Sequence, residues 1–214
     1  MRLTANRCLL KPLLLATGLL LSTQAHGGAQ IETPLSASVR AMLQHNIADQ
    51  AATNSAFASD KEEAAWLHDM SPRLGKYMPD PDSRTDFLRT VHYEAARAGL
   101  DPQLVLGLIE VESGFRKYAI SKAGARGYMQ VMPFWVHDIG TRGQDLFHLR
   151  TNLRYGCTIL RYYLSIEHGD LFRALGRYNG SLGQADYPLR VKDAWLKHWN
   201  LRRPAAPLKT AAAN

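Results

Sequence analysis

The run Leu104-Val-Leu-Gly-Leu-Ile-Glu-Val-Glu112 carries a carboxylate into an apolar helix stripe. On a 3.6-residue period Leu108 and Ile109 lie one turn before Glu112, and Val105 lies one turn before those two, so Glu112 shares their face. If that face is buried, Glu112 is buried with it. Burial disfavours the charged form of a carboxyl, so such a group tends to hold its proton near neutral pH and can serve as a general acid. The competing reading is a helix-end glutamate that faces solvent or pairs with an arginine. The position of Glu112 alone does not separate the two.

Helical spacing recurs on both sides of this run. Leu35, Val39, Met42, Leu43 and Ile47 predict one helix, and Trp66, Leu67 and Met70 a second that opens at Asp60-Lys-Glu-Glu. Ala51 to Ser59 reads as a loop or frayed end, and Pro72, Pro79 and Pro81 as breaks before the next element. Ser83-Arg-Thr-Asp86 resembles a capping box ahead of a helix marked by Phe87, Leu88, Val91 and Ala95, which ends near Gly99. Asp101-Pro102 suits the start of the Glu112 helix, since proline at the first helical position loses no hydrogen bond, and Gly114 allows it to stop. The glycine-rich stretch from Ala119 to Met132 suits loops or a small β-turn region. Leu153, Gly156, Leu160, Tyr163 and Leu164 predict a further helix closing at Gly169. Asp170 can cap one running through Leu175, and Tyr187, Val191 and Trp195 mark a last one. The chain is therefore expected to be mainly α, with a small β/loop region and extra N-terminal helices.

At 214 residues there is room for one ordinary domain with extensions. Arg2, Arg7 and Lys11 precede an apolar stretch from Leu13 to Leu21, and Thr23 and Ala25 sit at −3 and −1 of a cleavage site; this is the pattern of a secretory signal peptide, too short for a permanent membrane anchor. An uncleaved anchor is the competing reading, and cleavage after Ala29 is a further alternative. Cys8 lies before the apolar stretch, which argues against a lipid anchor. Loss of the leader leaves 23 of the 26 basic residues against 19 acidic ones, a net of +4. That balance suits an anionic polymer and is too mild to argue for nucleic acid. Only Cys157 would survive cleavage, so no internal disulfide is expected and the core must supply the stability. The expected organisation is a leader over 1–25, a linker and helical extension over 26–84, a main domain over 85–203 and a tail over 204–214.

Glu112-Ser-Gly-Phe115, then Ser121-Lys-Ala-Gly-Ala-Arg-Gly-Tyr-Met-Gln-Val-Met-Pro133, then Arg177-Tyr-Asn-Gly180 occur in this order. Each segment is weak alone; at these spacings together they closely resemble the soluble lytic transglycosylases of the SLT type, a peptidoglycan-cutting family related in fold to goose-type lysozyme. The resemblance covers about residues 85–200. It implies that Glu112, followed by Ser113, is the family's single catalytic acid/base, and that Ser121 helps hold the substrate's N-acetyl group. Gly127, Tyr128, Met129 and Gln130 stand where the family usually has Gly-Leu-Met-Gln, so Gln130 and Met132 should line the sugar cleft. Asn152-Leu153 fits the usual Asn-Ile pair opening a core helix. Tyr178-Asn179 fits Ala-Tyr-Asn, with Tyr178 expected to hydrogen-bond toward the reacting site. Arg177 replaces the usual alanine and Tyr128 the usual leucine, departures that bear on fine specificity rather than on the reaction. Structural readings stand beside these roles: Met129 and Met132 as core fillers, Gly124 and Gly127 as turn glycines, Ser113 as a helix-end residue bonding backbone.

Ordinary glycosidases use two carboxylates. Near Glu112 the candidates are Glu110, which points away on a helix, and Asp138 and Asp145, which lie outside the matched segments. The resemblance implies that one carboxylate suffices: Glu112 protonates the leaving oxygen, the muramic N-acetyl group stabilises the cationic centre, and the 6-hydroxyl closes a 1,6-anhydro ring without consuming water. Phe134, Trp135 and Tyr178 are suited to stacking on sugar faces or to core packing. The eight histidines show no metal-ligand spacing and no glycine-rich phosphate loop follows a strand, so neither cofactor nor metal is expected. The expected function is a periplasmic murein lytic transglycosylase acting on peptidoglycan glycan strands. The alternatives are a lysozyme-like hydrolase and a non-catalytic glycan-binding or secretion-apparatus component that docks through residues 30–80.

Overall fold

The computed structural model describes residues 30–48 and 56–201. The expected leader and C-terminal tail lie outside the described residues. Eight α-helices are described: α1 (Ala37–Ile47), α2 (Asp60–Leu74), α3 (Pro81–Arg97), α4 (Pro102–Ser113), α5 (Phe134–Ile139), α6 (Leu149–Ile166), α7 (Leu171–Asn179) and α8 (Asp186–Ala194), followed by a π-helical turn, Trp195–Trp199. The only β-structure among them is a pair of single bridges, Ile120 with Arg126 and Arg126 with Val131. A mainly helical chain with a small β/loop region is the expected class.

The centre of the molecule is α4. Leu104 to Ile109 are buried without interruption, as are Glu112 and Ser113. A helix apolar on every side must be surrounded, and α3, α8 and the π-helical turn pack around it. Its ends are fixed by local chemistry. Asp101 accepts hydrogen bonds from the backbone N–H of Gln103 and Leu104, Pro102 occupies the first turn, and Gly114 ends the helix at φ 58°, a left-handed conformation open to glycine. The close approach of the π-helical turn also requires a glycine: a Cβ on Gly107 would lie 2.7 Å from the backbone nitrogen of Trp195.

Four features depart from the sequence reading. Pro72 lies inside the last turn of α2 rather than breaking the chain before it. Pro81 starts α3 as its first residue, and the N-cap is Asp80, whose carboxylate accepts from the Ser83 N–H at 2.8 Å; the expected box at Ser83 lies one turn inside the helix. Proline needs no N–H donor at that position, so it opens a helix as readily as it ends one. Finally, α5 was not expected, and α7 runs on to Asn179 rather than stopping at Leu175. The N-terminal helices are docked on the rest. Trp66, Met70 and Leu74 of α2 and Leu43 and Ile47 of α1 are buried, α2 packs on α3, and α1 packs on α5 and α6.

Candidate active site

Glu112 sits in the last turn of α4 and is 1% exposed. The apolar stripe therefore takes the carboxyl inside. Its partner comes from α8: the Tyr187 hydroxyl donates to Oε1 at 2.5 Å. Burial, and then the charge and hydrogen bond of Glu112, push the Tyr187 phenol well above its usual value of 10, so Tyr187 stays a donor. A second buried phenol, Tyr178 at the end of α7, is raised well above 10 by burial and then by the charge of Glu112. Its hydroxyl donates to the Met129 carbonyl at 2.8 Å. The carboxylate that both phenols feel is Glu112.

The three candidate second carboxylates are engaged elsewhere. Glu110 accepts from Tyr77 at 2.8 Å and from the Trp199 indole at 2.6 Å, and lies 2.9 Å from His198 Nδ1. Asp138 pairs with His137, and Asp145 caps the Phe147 N–H at 2.8 Å.

The loop expected to line the cleft is held from below by α6. Asn152, fully buried, accepts from the Met129 N–H at 2.8 Å and donates to the carbonyls of Arg126 and Leu146 at 2.9 and 2.8 Å. Gly127 makes this possible: at φ 76° its own Cβ would fall 2.5 Å from the Leu146 carbonyl oxygen. Gln130 takes the left-handed region at φ 48°, uncommon for a residue with a side chain. Its amide nitrogen donates to the carbonyls of Ala119 and Gly127. Its buried Oε1 meets no hydrogen-bond partner among the described residues.

The remaining expected site residues divide between holding the loop and filling the core. Ser113 donates to the Tyr128 carbonyl at 2.7 Å, tying the end of α4 to the loop. Ser121 accepts from the Ala125 N–H at 3.1 Å. The Met129 side chain lies where a Cβ on Gly156 would be, so it packs into α6. Tyr128 stacks at a tilt on Phe87, with ring centres 4.9 Å apart, and Asn179 donates to the Ser181 hydroxyl at 2.9 Å. Met132 and Phe134 are half-buried against the core. Arg177, one of the two departures, is paired with Glu167 beside Arg173.

Two residues of this region went unrecognised in the sequence. Tyr187 was counted only as a packing position of the last helix, and the one available signal was a hydroxyl on an otherwise apolar stripe. Gln30 lay in a stretch read as linker. It is 4% exposed, and its Oε1 accepts from the Trp135 indole N–H at 2.8 Å.

A family model described as the transglycosylase SLT domain matches residues 89–197. The chain belongs to that family. A transglycosylase of Enterobacteria phage PRD1 is 32% identical over 103 residues, which are 48% of this chain and 38% of the phage protein. The membrane-bound lytic murein transglycosylase C of Actinobacillus pleuropneumoniae serotype 5b (strain L20) is 46% identical over 61 residues, 28% of this chain and 15% of that protein. The SLT domain thus matches well under half the length of these relatives. Among solved structures, an inactive mutant of the lytic transglycosylase Slt from Pseudomonas aeruginosa aligns with a TM-score of 0.41 and 20% identity, over 81% of this chain and 35% of that one.

Among the described residues no group of three or more His, Cys, Asp or Glu side chains is arranged to hold a metal ion, and no helix is long and apolar enough to cross a membrane. Cys157 is buried and its thiol is pushed up strongly by burial, so it remains a protonated core residue.

Proposed function

We propose that this SLT-domain protein is a peptidoglycan lytic transglycosylase of the cell envelope, with Glu112 as its single acid and base. The observation that carries the reading is a carboxyl 1% exposed at the end of a buried helix, with the Tyr187 phenol fixed on one of its oxygens. The phenol keeps its proton and donates to Oε1, which fixes the orientation of the carboxyl. Loss of hydration favours the proton-bearing form of a carboxyl in general, which is what a general acid requires.

In this reading the MurNAc–GlcNAc β-1,4 bond lies against Glu112. The glycosidic oxygen takes the proton as its bond to C1 breaks, and the GlcNAc end leaves as an alcohol. The muramic N-acetyl oxygen closes on C1 and bears the positive charge. The Glu112 carboxylate then removes the proton of the 6-hydroxyl while O6 displaces the acetamido oxygen at C1. The 1,6-anhydro ring forms, the carboxyl is restored, and no water is used. Gln130 Oε1, buried and unmatched among the described residues, is the acceptor offered to a sugar hydroxyl or amide N–H. Ser121 and Asn179 act with it at the sugar, while Ser113, Gly127, Tyr128 and Met129 shape the loop beneath. The basic and apolar start of the sequence fits delivery to the periplasm.

Sacculi digested by the wild-type protein should release fragments lighter by one water than those of a hydrolase, and Glu112→Gln should reduce release at least a hundredfold, the low end for loss of a positioned acid and base. Fragments with reducing MurNAc ends would identify a lysozyme-like hydrolase instead. Unimpaired release by Glu112→Gln would remove the residue from the chemistry.

A further inference from the structure

Of the rings expected to stack on sugar, Trp135 and Tyr178 are buried and Phe134 is half-buried against the core. The open ring of this region is Tyr118, 70% exposed, with Ile120 two residues on at 63%. Tyr118 meets the half-buried Phe147 at a tilt, with ring centres 5.7 Å apart. Each ring has a cation at its side. Lys117 Nζ lies 5.2 Å from the centre of Tyr118, and the Arg126 guanidinium carbon lies 6.0 Å from that of Phe147. Scattered apolar side chains on a surface need no explanation; rings grouped with cations do.

The pair is mounted on the loop that shapes the Glu112 site. The Ala119 carbonyl, next to Tyr118, accepts from the Gly127 N–H at 2.9 Å and from the Gln130 side-chain amide at 3.1 Å. Ile120 and Arg126 face each other across an antiparallel bridge. Asn152 Nδ2 donates to the carbonyls of Arg126 and Leu146, so one side chain pins Arg126 and the residue before Phe147 together. The oxygen of the same carboxamide takes the Met129 N–H, and Ser113, the neighbour of Glu112, holds the Tyr128 carbonyl. Platform and catalytic loop thus share one set of hydrogen bonds.

Charge selects the occupant. From Ser113 to His137 the sequence holds Arg116, Lys117, Lys122 and Arg126 and no acidic residue. All four cations are exposed. The acids that follow are spent locally: Asp138 pairs with His137, and Asp145 caps the Phe147 N–H at 2.8 Å. An apolar ring surface edged with positive charge fits a sugar that offers a C–H face and carries carboxylate. In peptidoglycan that sugar is the muramic residue, whose lactyl ether ends in a carboxylate or in the acidic peptide built on it. We propose that Tyr118 and Phe147 form a stacking subsite for the glycan strand beside the Glu112 loop, and that Lys117 and Arg126 select a muramic sugar there by its carboxylates. This rests on the reading of Glu112 as the acid of a glycan-cleaving site. The subsite binds ground state and transition state alike, so it sets KM rather than kcat.

Two soluble probes separate ring from charge. Hexa-N-acetylchitohexaose is neutral; glycan strands freed of peptide by an amidase keep a lactyl carboxylate on every second sugar. Binding is measured on the full chain carrying Glu112→Gln, so that the strands stay whole. Adding Tyr118→Ala should weaken both probes about threefold to tenfold, the worth of one aromatic contact. Tyr118→Phe should leave both as tight as the parent, because the ring and not the hydroxyl is used. The pair Lys117→Gln/Arg126→Gln should weaken the denuded strands about threefold or more, flatten the salt dependence of their binding and leave chitohexaose unchanged. On sacculi, with Glu112 intact, Tyr118→Ala should raise KM by a similar factor at constant kcat. Undiminished binding of both probes by Tyr118→Ala overturns the platform, and so does an effect seen only as loss of a dimer in sedimentation, which would give the face to a second copy of the chain. A cation variant that weakens both probes equally, or neither, overturns the selection. Sacculus digestion by wild type keeps the failures apart: cleavage with unchanged probe affinities sinks the subsite alone, and no cleavage sinks the reading on which it rests.

Discussion

Tyr187 holds Oε1 of Glu112 from the facing helix, and its proton is retained because burial and the neighbouring carboxyl both oppose ionisation. Its task is orientation of the acid. Tyr187→Phe preserves the ring in the core and deletes only the hydroxyl, so the fold should survive while kcat on sacculi falls about tenfold to a hundredfold, the range for a hydrogen bond to a chargeable group. KM should move little, since the phenol touches the carboxyl rather than the sugar. Equal kcat in the variant would show that α4 alone orients Glu112. Because Tyr187 and Tyr178 are both raised well above 10, neither supplies a basic limb to the activity profile below that pH. At this scale the sequence was readable where periodicity and chemistry coincide: the apolar stripe offered burial of Glu112 as one of two readings, and Glu112 is buried. Tyr187 was not readable, because a tyrosine on an apolar face looks the same whether its hydroxyl meets solvent or a carboxyl 75 residues earlier. The pairing of Arg177 with the buried Glu167 at the C-terminal end of α6 shows the same limit: the partner lies ten residues earlier and spacing alone did not announce it.

At the level of elements, the boundaries set by local hydrogen bonding were legible. Asp101-Pro102, Gly114, Gly169 and Asp170 all act where the sequence put them. Elements decided by distant partners were not. The short helix α5 has six residues and no side-chain cap, so propensity gives little hint of it; its Trp135 is fixed by contact with Gln30, Tyr162 and Tyr163. One close backbone fit between elements is α4 against the π-helical turn. A methyl on Gly107 would meet backbone and Cβ of Trp195 at 2.7 to 3.0 Å, and backbone cannot rotate out of the way. Gly107→Ala should raise the helix propensity of α4 yet destabilise the protein by about 1–3 kcal/mol, as overpacking does. Thermal unfolding measures it. A gain in Tm would show that the turn yields freely, and with it that the position of α8, and so of Tyr187, is soft.

For the whole molecule, two buried polar contacts tie helices that the family match treats differently. Glu94 of α3 is fully buried and takes a two-pronged bond from Arg154 of α6, at 3.0 Å from Nε and 2.7 Å from Nη2. Removing one partner strands the other, so Glu94→Ala should cost about 3–5 kcal/mol in urea unfolding. The second contact fastens the N-terminal extension. His92 of α3 stacks on Phe57 with ring centres 3.5 Å apart and meets the edge of Trp66 from α2. Its Nδ1 is buried without a hydrogen-bond partner among the described residues. Burial lowers its pKa below the ordinary 6.5, against smaller upward pulls from Glu62 and Glu63. A base depressed in the fold is neutral there while the unfolded chain still takes up a proton. The unfolded state therefore binds more protons below 6.5, and stability rises with pH. The contribution of His92 is complete above 6.5 and is lost as pH falls through the depressed folded value. His92→Phe keeps an aromatic ring against Phe57 and Trp66 but removes the titration. Its Tm, compared with wild type, should gain ground as the pH is taken from about 8 to about 5, the span over which an ordinary histidine charges. A constant difference between the two proteins across that range would mean that α2 already leaves His92 open to water, and that the extension is held by Trp66, Met70 and Leu74 without the imidazole.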